Sequence, residues 1–250
     1  MEPLVEMKDI AKSYGKVQAL REVNLTVRRG EVLGLLGDNG AGKSTLIKVL
    51  SGAVPYTSGE ILIKGRPVRM RSTLDAIGLG IETIYQDSAL VPQLSIARNL
   101  FLGRELRTGP GFLDRLDLDR MNEVAARLLR RVGISKAIPP TTPIGQLSGG
   151  ERQAVAIARA MHFESDLIIL DEPTNNLGVA ETQGVLRFVR EARDTGHSCV
   201  FIAHNIHHVF QVVDRIVVMR RGTVVADYLA PTTSTIQEVE GIITGEHVAA

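Results

Sequence analysis

Nine residues, Gly37-Asp38-Asn39-Gly40-Ala41-Gly42-Lys43-Ser44-Thr45, follow directly on the apolar run Val32-Leu33-Gly34-Leu35-Leu36. A strand feeding a glycine-rich turn and then a helix is the layout of a phosphate-binding loop. Gly37, Gly40 and Gly42 lack Cβ atoms, so the backbone can curl with its N–H groups pointing inward at a polyphosphate. The N-terminus of the following helix adds the positive end of its dipole. Lys43 is then placed to reach the β- and γ-phosphates, and the Ser44 hydroxyl to hold Mg²⁺. These residues predict a nucleoside triphosphate site.

Two further segments carry chemistry. In Leu167-Ile168-Ile169-Leu170-Asp171-Glu172, four apolar residues form a buried strand that delivers two carboxylates to the C-terminal edge of a sheet. Ligands sit at that edge in open α/β folds. Asp171 suits direct or indirect support of Mg²⁺, and Glu172 suits polarising an attacking water. In Leu147-Ser148-Gly149-Gly150-Glu151-Arg152-Gln153, a serine and two glycines open an apolar helix that runs through Ala160. Exposed N–H groups at that helix start make a second anion site. One chain has no evident use for two such sites on the same triphosphate.

The elements that must hold these residues read as alternating strands and helices around a helical insert. Short β-like runs cover Leu4 to Ile10 and Val23 to Arg28, with a turn at Ser13-Tyr14-Gly15-Lys16. After the phosphate loop and its helix come strands near Glu60–Ile63, Val68–Met70 and Ile81–Tyr85. Met121, Val124, Ala125, Leu128, Leu129 and Val132 lie on one face of an amphipathic helix. Beyond the Pro139-Pro140-Thr141-Thr142-Pro143 connector, strands at Leu167–Leu170 and Cys199–Ala203 alternate with helices at Val179–Arg193 and Asn205–Gln211. A terminal strand pair spans Arg215–Arg220 and Thr223–Asp227. The pattern predicts an α/β fold with a mainly parallel sheet, an N-terminal β subdomain and a separate helical lobe. Its expected boundaries put the core and β subdomain at about 1–86 and 165–250, and the helical subdomain at about 87–164.

Composition narrows the class. At 250 residues the chain buries enough surface for one core or two lobes. A net charge of +1 offers no broad attraction to nucleic acid or acidic lipid. The basic pairs Arg28-Arg29, Arg130-Arg131 and Arg220-Arg221 fall at element ends, as solvated termini do. The single cysteine, Cys199, lies in an apolar run and is expected to be a buried thiol in a reducing compartment. The N-terminus has no signal-peptide pattern, and no apolar run approaches the roughly 20 residues that span a bilayer. A soluble, cytosolic chain that meets membranes through a partner is the expectation.

Taken together, the phosphate loop, the Asp171-Glu172 strand and the Ser148-Gly149-Gly150 segment resemble the ATPase subunit of an ATP-binding cassette (ABC) transporter, over essentially the whole chain. The resemblance implies a P-loop NTPase (RecA-like) core with an antiparallel N-terminal β subdomain and an inserted helical subdomain. It implies that ATP and Mg²⁺ bind, and that two cassettes pair head to tail. Each ATP then lies between one subunit's loop 37–45 and the other's Ser148-Gly149-Gly150. The family's remaining motifs match Tyr14, which stacks on adenine, and Gln86, which touches Mg²⁺ at the joint with the helical lobe. They also match His204, which contacts the γ-phosphate. His207 and His208 are left as helix-surface residues.

Two positions depart from the family. Glu151 stands where it usually has glutamine, and with Ser148 forms an S-x-x-E capping box that stabilises the helix start. Gly178 stands where it commonly has aspartate, which leaves Asn175 or Asn176 to supply the missing hydrogen bonds. The stretches 99–105, 171–182 and 204–222 are similar to ATPases of bacterial importers for ribose, xylose or fructose. That likeness implies a homodimer on the cytoplasmic face of the inner membrane, integral permease subunits and, indirectly, a periplasmic or extracellular sugar-binding protein, with no nucleic acid. The alternatives are an ABC transporter for another substrate, or a soluble ABC ATPase in translation or DNA repair. The latter usually carries tandem cassettes or a long coiled-coil insertion, and neither is seen in this chain.

Overall fold

Pro3 onward, alternating burial drives a long antiparallel hairpin, in which β1 (Pro3–Tyr14) pairs with β2 (Val17–Arg28). In this computed structural model the described residues are 2–85, 90–109, 114–131, 138–162, 165–175, 177–232 and 234–246. The chain continues through β3 (Val32–Leu36), α1 (Lys43–Leu50), β4 (Ser58–Ile63), β5 (Arg66–Val68), α2 (Thr73–Gly78) and β6 (Ile81–Ile84). Next come α3 (Ile96–Leu100), the short strands β7 (Arg107–Thr108) and β8 (Arg115–Leu116), α4 (Leu118–Arg131) and α5 (Gly149–His162). The last third holds β9 (Leu167–Asp171), α6 (Val179–Asp194), β10 (Ser198–Ile202), α7 (Ile206–Phe210), β11 (Arg215–Arg220), β12 (Thr223–Leu229) and α8 (Ile236–Thr244).

Packing divides the chain into two compact units. One comprises Met1–Thr83, Glu164–Pro173 and Val189–Ala250, the other Ile84–Phe163 and Thr174–Phe188. In the first unit a four-stranded sheet has the order β2-β1-β4-β5, with β1–β2, β1–β4 and β4–β5 all antiparallel. A six-stranded sheet has the order β12-β11-β3-β10-β9-β6. There β3 runs parallel to both β10 and β11, and β9 parallel to β10, while β12 returns antiparallel. Both faces of β3 and β10 are buried, which explains their unbroken apolar runs. The expected α/β class, with its parallel core and antiparallel N-terminal sheet, is what the chain adopts.

The second unit is helical. The Met121, Ala125, Leu128 and Leu129 stripe of α4 joins Ile96, Leu100 and Phe101 of α3 with Val155 and Ala158 of α5 in one buried cluster. Val132, assigned to the same stripe, lies outside the described residues. Among the described residues no helix is long and apolar enough to cross a membrane. Cys199 is fully buried, and burial pushes its thiol up to about 12, so it acts as a small apolar side chain.

A buried ion cluster links the two sheets of the first unit. Arg215, 8% exposed, donates from Nε to Glu31 Oε1 (2.7 Å) and from Nη2 to Glu31 Oε2 (3.2 Å). Its Nη2 also donates to the Thr26 carbonyl of β2 (2.6 Å), and its Nη1 to Asp227 Oδ1 of β12. Glu31 is itself only 3% exposed.

Candidate active site

Loop 37–42 leaves the buried end of β3 and curls back into α1. Gly37, Gly40 and Gly42 have φ of +149°, +77° and +106°, angles that residues with a Cβ rarely adopt. Two of them are also crowded. A Cβ on Gly37 would lie 2.3 Å from the Met219 carbonyl oxygen, and one on Gly42 3.0 Å from that of Ala19. Gly40 faces open space, where a phosphate could approach the backbone. A hydrogen bond from Gly222 N–H to the Ala41 carbonyl (2.9 Å) braces the loop against the β11–β12 turn, which is itself tied to β2 by Arg21 N–H donating to the Gly222 carbonyl (2.8 Å).

Inside this curl sits Lys43, 7% exposed. Its Nζ donates to the carbonyls of Gly37 (2.7 Å) and Asp38 (3.1 Å), which aims the ammonium across the loop. Burial lowers its pKa, opposed by the negative charges of Glu172, Asp38 and Asp171. Asn39, Gly40, Ala41, Gly42, Lys43, Ser44 and Thr45 line a cavity of about 580 Å³ together with Glu172. Its other wall is Val17, Gln18, Ala19 and Arg21 from the hairpin and Arg221-Gly222 from the β11–β12 turn. Those residues escaped sequence reasoning. Arg21 and Arg221 are 200 positions apart, and only the adjoining turn residues hinted at a role.

Asp171 ends β9, paired in register with Ile202 of β10. Burial raises its pKa, the charge of Glu172 adds to this, and Lys43 works against it. Glu172 follows at φ +53°, an unusual angle for a side-chain-bearing residue, with its N–H bonded to the Ile202 carbonyl (2.9 Å). This turn swings the carboxylate to the cavity. Glu172 Oε1 stands 2.6 Å from His204 Nε2, beyond the end of β10. The structure therefore gathers the loop, Asp171, Glu172 and His204 on one sheet edge. His207 and His208 lie on α7, outside the cavity wall.

Other sequence-assigned residues stand differently. Tyr14 is exposed at the hairpin end and does not line the cavity; Lys12 Nζ sits 4.9 Å above its ring. Gln86 lies outside the described residues, as does Asn176. Ser148 precedes α5 and forms the capping box with Glu151. Ser148 N–H donates to Glu151 Oε2 (2.8 Å), and Glu151 N–H to Ser148 Oγ (3.2 Å). Gly149 and Gly150 form the first turn.

Two variants probe these placements. In Lys43→Ala the charge-assisted bonds to phosphate disappear, and ATP affinity should fall about 10–100-fold, the worth of roughly 1.5–3 kcal/mol, in a fluorescent-nucleotide titration. Glu151→Gln keeps a side-chain oxygen that can accept from the Ser148 N–H. Steady-state hydrolysis should stay within a few-fold of wild type, because a capping change is typically worth ~1 kcal/mol. A loss near a hundredfold would make Glu151 a direct participant.

Comparison with known proteins bears on the whole chain. The ABC transporter family model matches residues 20–175, from the β1–β2 hairpin to just past Glu172. The fructose import ATP-binding protein FrcA of Rhizobium meliloti is 42% identical over 248 residues, 98% of this chain and 95% of its own length. The xylose/arabinose import ATP-binding protein XylG of Sulfolobus acidocaldarius is 42% identical over 245 residues, again 98% and 95%. Among solved structures, a dimeric post-hydrolysis state of an ATP-binding cassette bound to ADP and Pi is 25% identical with a TM-score of 0.75. The match covers 89% of this chain and 97% of that one. The family model covers more than half of the chain and the relatives nearly all of it, and the chain belongs to the ABC transporter family.

Proposed function

We propose that this chain is the ATP-binding subunit of an importer, hydrolysing ATP in a head-to-tail homodimer to drive uptake of a monosaccharide through a partner permease. The observation that carries the reading is that Lys43 and Glu172 line one cavity built from the glycine loop, with His204 Nε2 2.6 Å from the Glu172 carboxylate. It is supported by the sugar-import names of the full-length relatives.

Loop amides and the Lys43 ammonium hold the triphosphate. Glu172, its backbone turned to φ +53° and its carboxylate bonded to His204, accepts a hydrogen bond from the attacking water. The water oxygen bonds to the γ-phosphorus as the bond to the β–γ bridging oxygen breaks, giving ADP and inorganic phosphate, with the water proton passing to Glu172. His204 orients that carboxylate through Nε2, and the family resemblance implies that it also meets the γ-phosphate.

The residues at hand fit Mg²⁺. Ser44 supplies a hydroxyl and Asp171 a carboxylate, with Gln86 as the third oxygen the family resemblance implies. Among the described residues no group of three or more His, Cys, Asp or Glu could hold a metal alone. That suits an ion carried largely by the phosphates themselves. When bound, Mg²⁺ neutralises charge on the β- and γ-phosphates.

The sugar never touches this chain. Closure of two copies around ATP would move a cytoplasmic helix of the permease, with the subunit resting on the cytoplasmic face of the membrane and a sugar-binding protein outside. The test is co-purification with the permease, then ATPase assay in vesicles with its binding protein and candidate sugars. Stimulation by a hexose or pentose supports the reading. Stimulation by an amino acid or a metal chelate instead contradicts it.

A further inference from the structure

Gly178 opens α6, for its carbonyl accepts the first helical hydrogen bond from Thr182 N–H (3.0 Å). Its backbone is outside the left-handed region, so nothing in its conformation demands glycine. What does exclude a side chain is Glu181. One turn along α6, this residue folds back, and a Cβ on Gly178 would lie 2.5 Å from its Oε2. The same side chain rests on the start of α5, where a Cβ on Gly150 would lie 2.2 Å from Glu181 Cγ and 3.1 Å from its Cβ. Its stem thus lies against the Ser148–Gly150 segment, and its carboxylate fills the space of the side chain that position 178 lacks. Glu181 is exposed, and its neighbour Val179 is 82% exposed, so the carboxylate and an apolar group stand together on an open surface.

We propose that Glu181 is a positioning residue for hydrolysis: it supplies, from one turn further along, the carboxylate missing at Gly178, and it fixes the loop after Glu172 to the Ser148–Gly150 helix start. This rests on the ATPase reading above. Both glycines then have a reason. A larger residue at either would evict Glu181 and uncouple the two segments that a second copy must meet together. A glutamate in the first turn also favours the helix dipole, but that benefit is indifferent to what stands at 178.

A cycle on the full chain separates the two roles. Glu181→Ala should lower kcat about tenfold with KM within about twofold, because the loss is in positioning rather than in nucleotide affinity. Gly178→Asp alone should also lower kcat, since two carboxylates would compete for one space. Gly178→Asp in the Glu181→Ala background should recover to within about threefold of wild type, a coupling expected of residues in contact. An unchanged kcat in Glu181→Ala, or a double variant no better than Glu181→Ala, overturns the proposal. Melting temperatures supply a readout independent of turnover. Aspartate is a favourable residue at a helix start, so Gly178→Asp should lower Tm in wild type and leave it level or raised in Glu181→Ala. Equal Tm changes in both backgrounds overturn the proposal even if hydrolysis is normal. A wild-type chain that hydrolyses nothing would instead count against the ATPase reading, with the Tm cycle still deciding the juxtaposition.

Discussion

Glu172→Gln should lower turnover about 10²–10³-fold while nucleotide affinity changes little, as expected when a group acting in the transition state is removed. The substitution is nearly isosteric, so the φ of +53° and the bond from Glu172 N–H to Ile202 have no reason to change. What disappears is the negative charge that polarises water and accepts its proton. A neutral amide also replaces the carboxylate that stands 2.6 Å from His204 Nε2. Single-turnover hydrolysis and nucleotide titration on one preparation separate these effects. A fall in turnover with unchanged affinity, together with accumulation of an ATP-bound dimer, is the expected pattern. Undiminished hydrolysis would remove Glu172 from the catalytic role.

An equally large effect, on stability, is expected from Arg215→Ala. The guanidinium satisfies both oxygens of Glu31 and reaches β2 and β12 at once. Alanine would leave the Glu31 carboxylate, 3% exposed, with the Arg28 N–H (2.9 Å) and the half-exposed Arg28 guanidinium 4.0 Å away in place of the buried one. Removing one partner of a buried ion pair costs about 3–5 kcal/mol. For a marginally stable chain that is a large fraction of the total. Urea unfolding should show the midpoint falling sharply with little change in slope. Replacing Glu31 and Arg215 together with leucine should recover much of the loss, because the desolvated charges go as a pair. A change under 1 kcal/mol in Arg215→Ala would mean that this ion cluster does not hold the sheets together.

Much of this was legible in the residues, for identifiable reasons. The phosphate loop and the Asp171-Glu172 strand end are local, with glycine spacing and an apolar run fixing them within a few positions. The Ser148–Glu151 capping box formed as its spacing predicts. Elsewhere the alternation misled. The β1 strand reads as ending near Ile10 but continues to Tyr14, because register shifts between Met7 and Lys12, with Asp9 at φ +50°, break its period of two. The strand expected at Val68–Met70 is β5 at Arg66–Val68, starting directly after the Lys64-Gly65 turn. Pro67 is tolerated there because β5 lies at the sheet edge.

Helix α8 was missed, although its signals were present. Thr235 and Glu238 form a capping box, and Gly245 closes the helix at φ +87°. Long-range features had no local signal at all. The cavity wall from Arg21 and Arg221 and the Glu172–His204 contact each join segments far apart in the chain. So does the fold-back of Glu181 onto Gly150. The last also bears on Gly178, where the Glu181 carboxylate takes up the space of the absent side chain.

The composite site is tested most directly by mixing two variants at an ATP concentration that supports wild-type hydrolysis but lies well below the Kd of Lys43→Ala, so that neither is active alone. Lys43→Ala disables the phosphate loop, and Ser148→Arg blocks the exposed segment before α5. In a head-to-tail pair of one each, both defects fall in the same site and the other site is intact. Equal mixing should restore hydrolysis to about one quarter of wild type, since half the dimers are mixed and each carries one complete site of two. Activity that stays at the sum of the two separate variants would mean that each copy builds its own site, and would contradict the shared one.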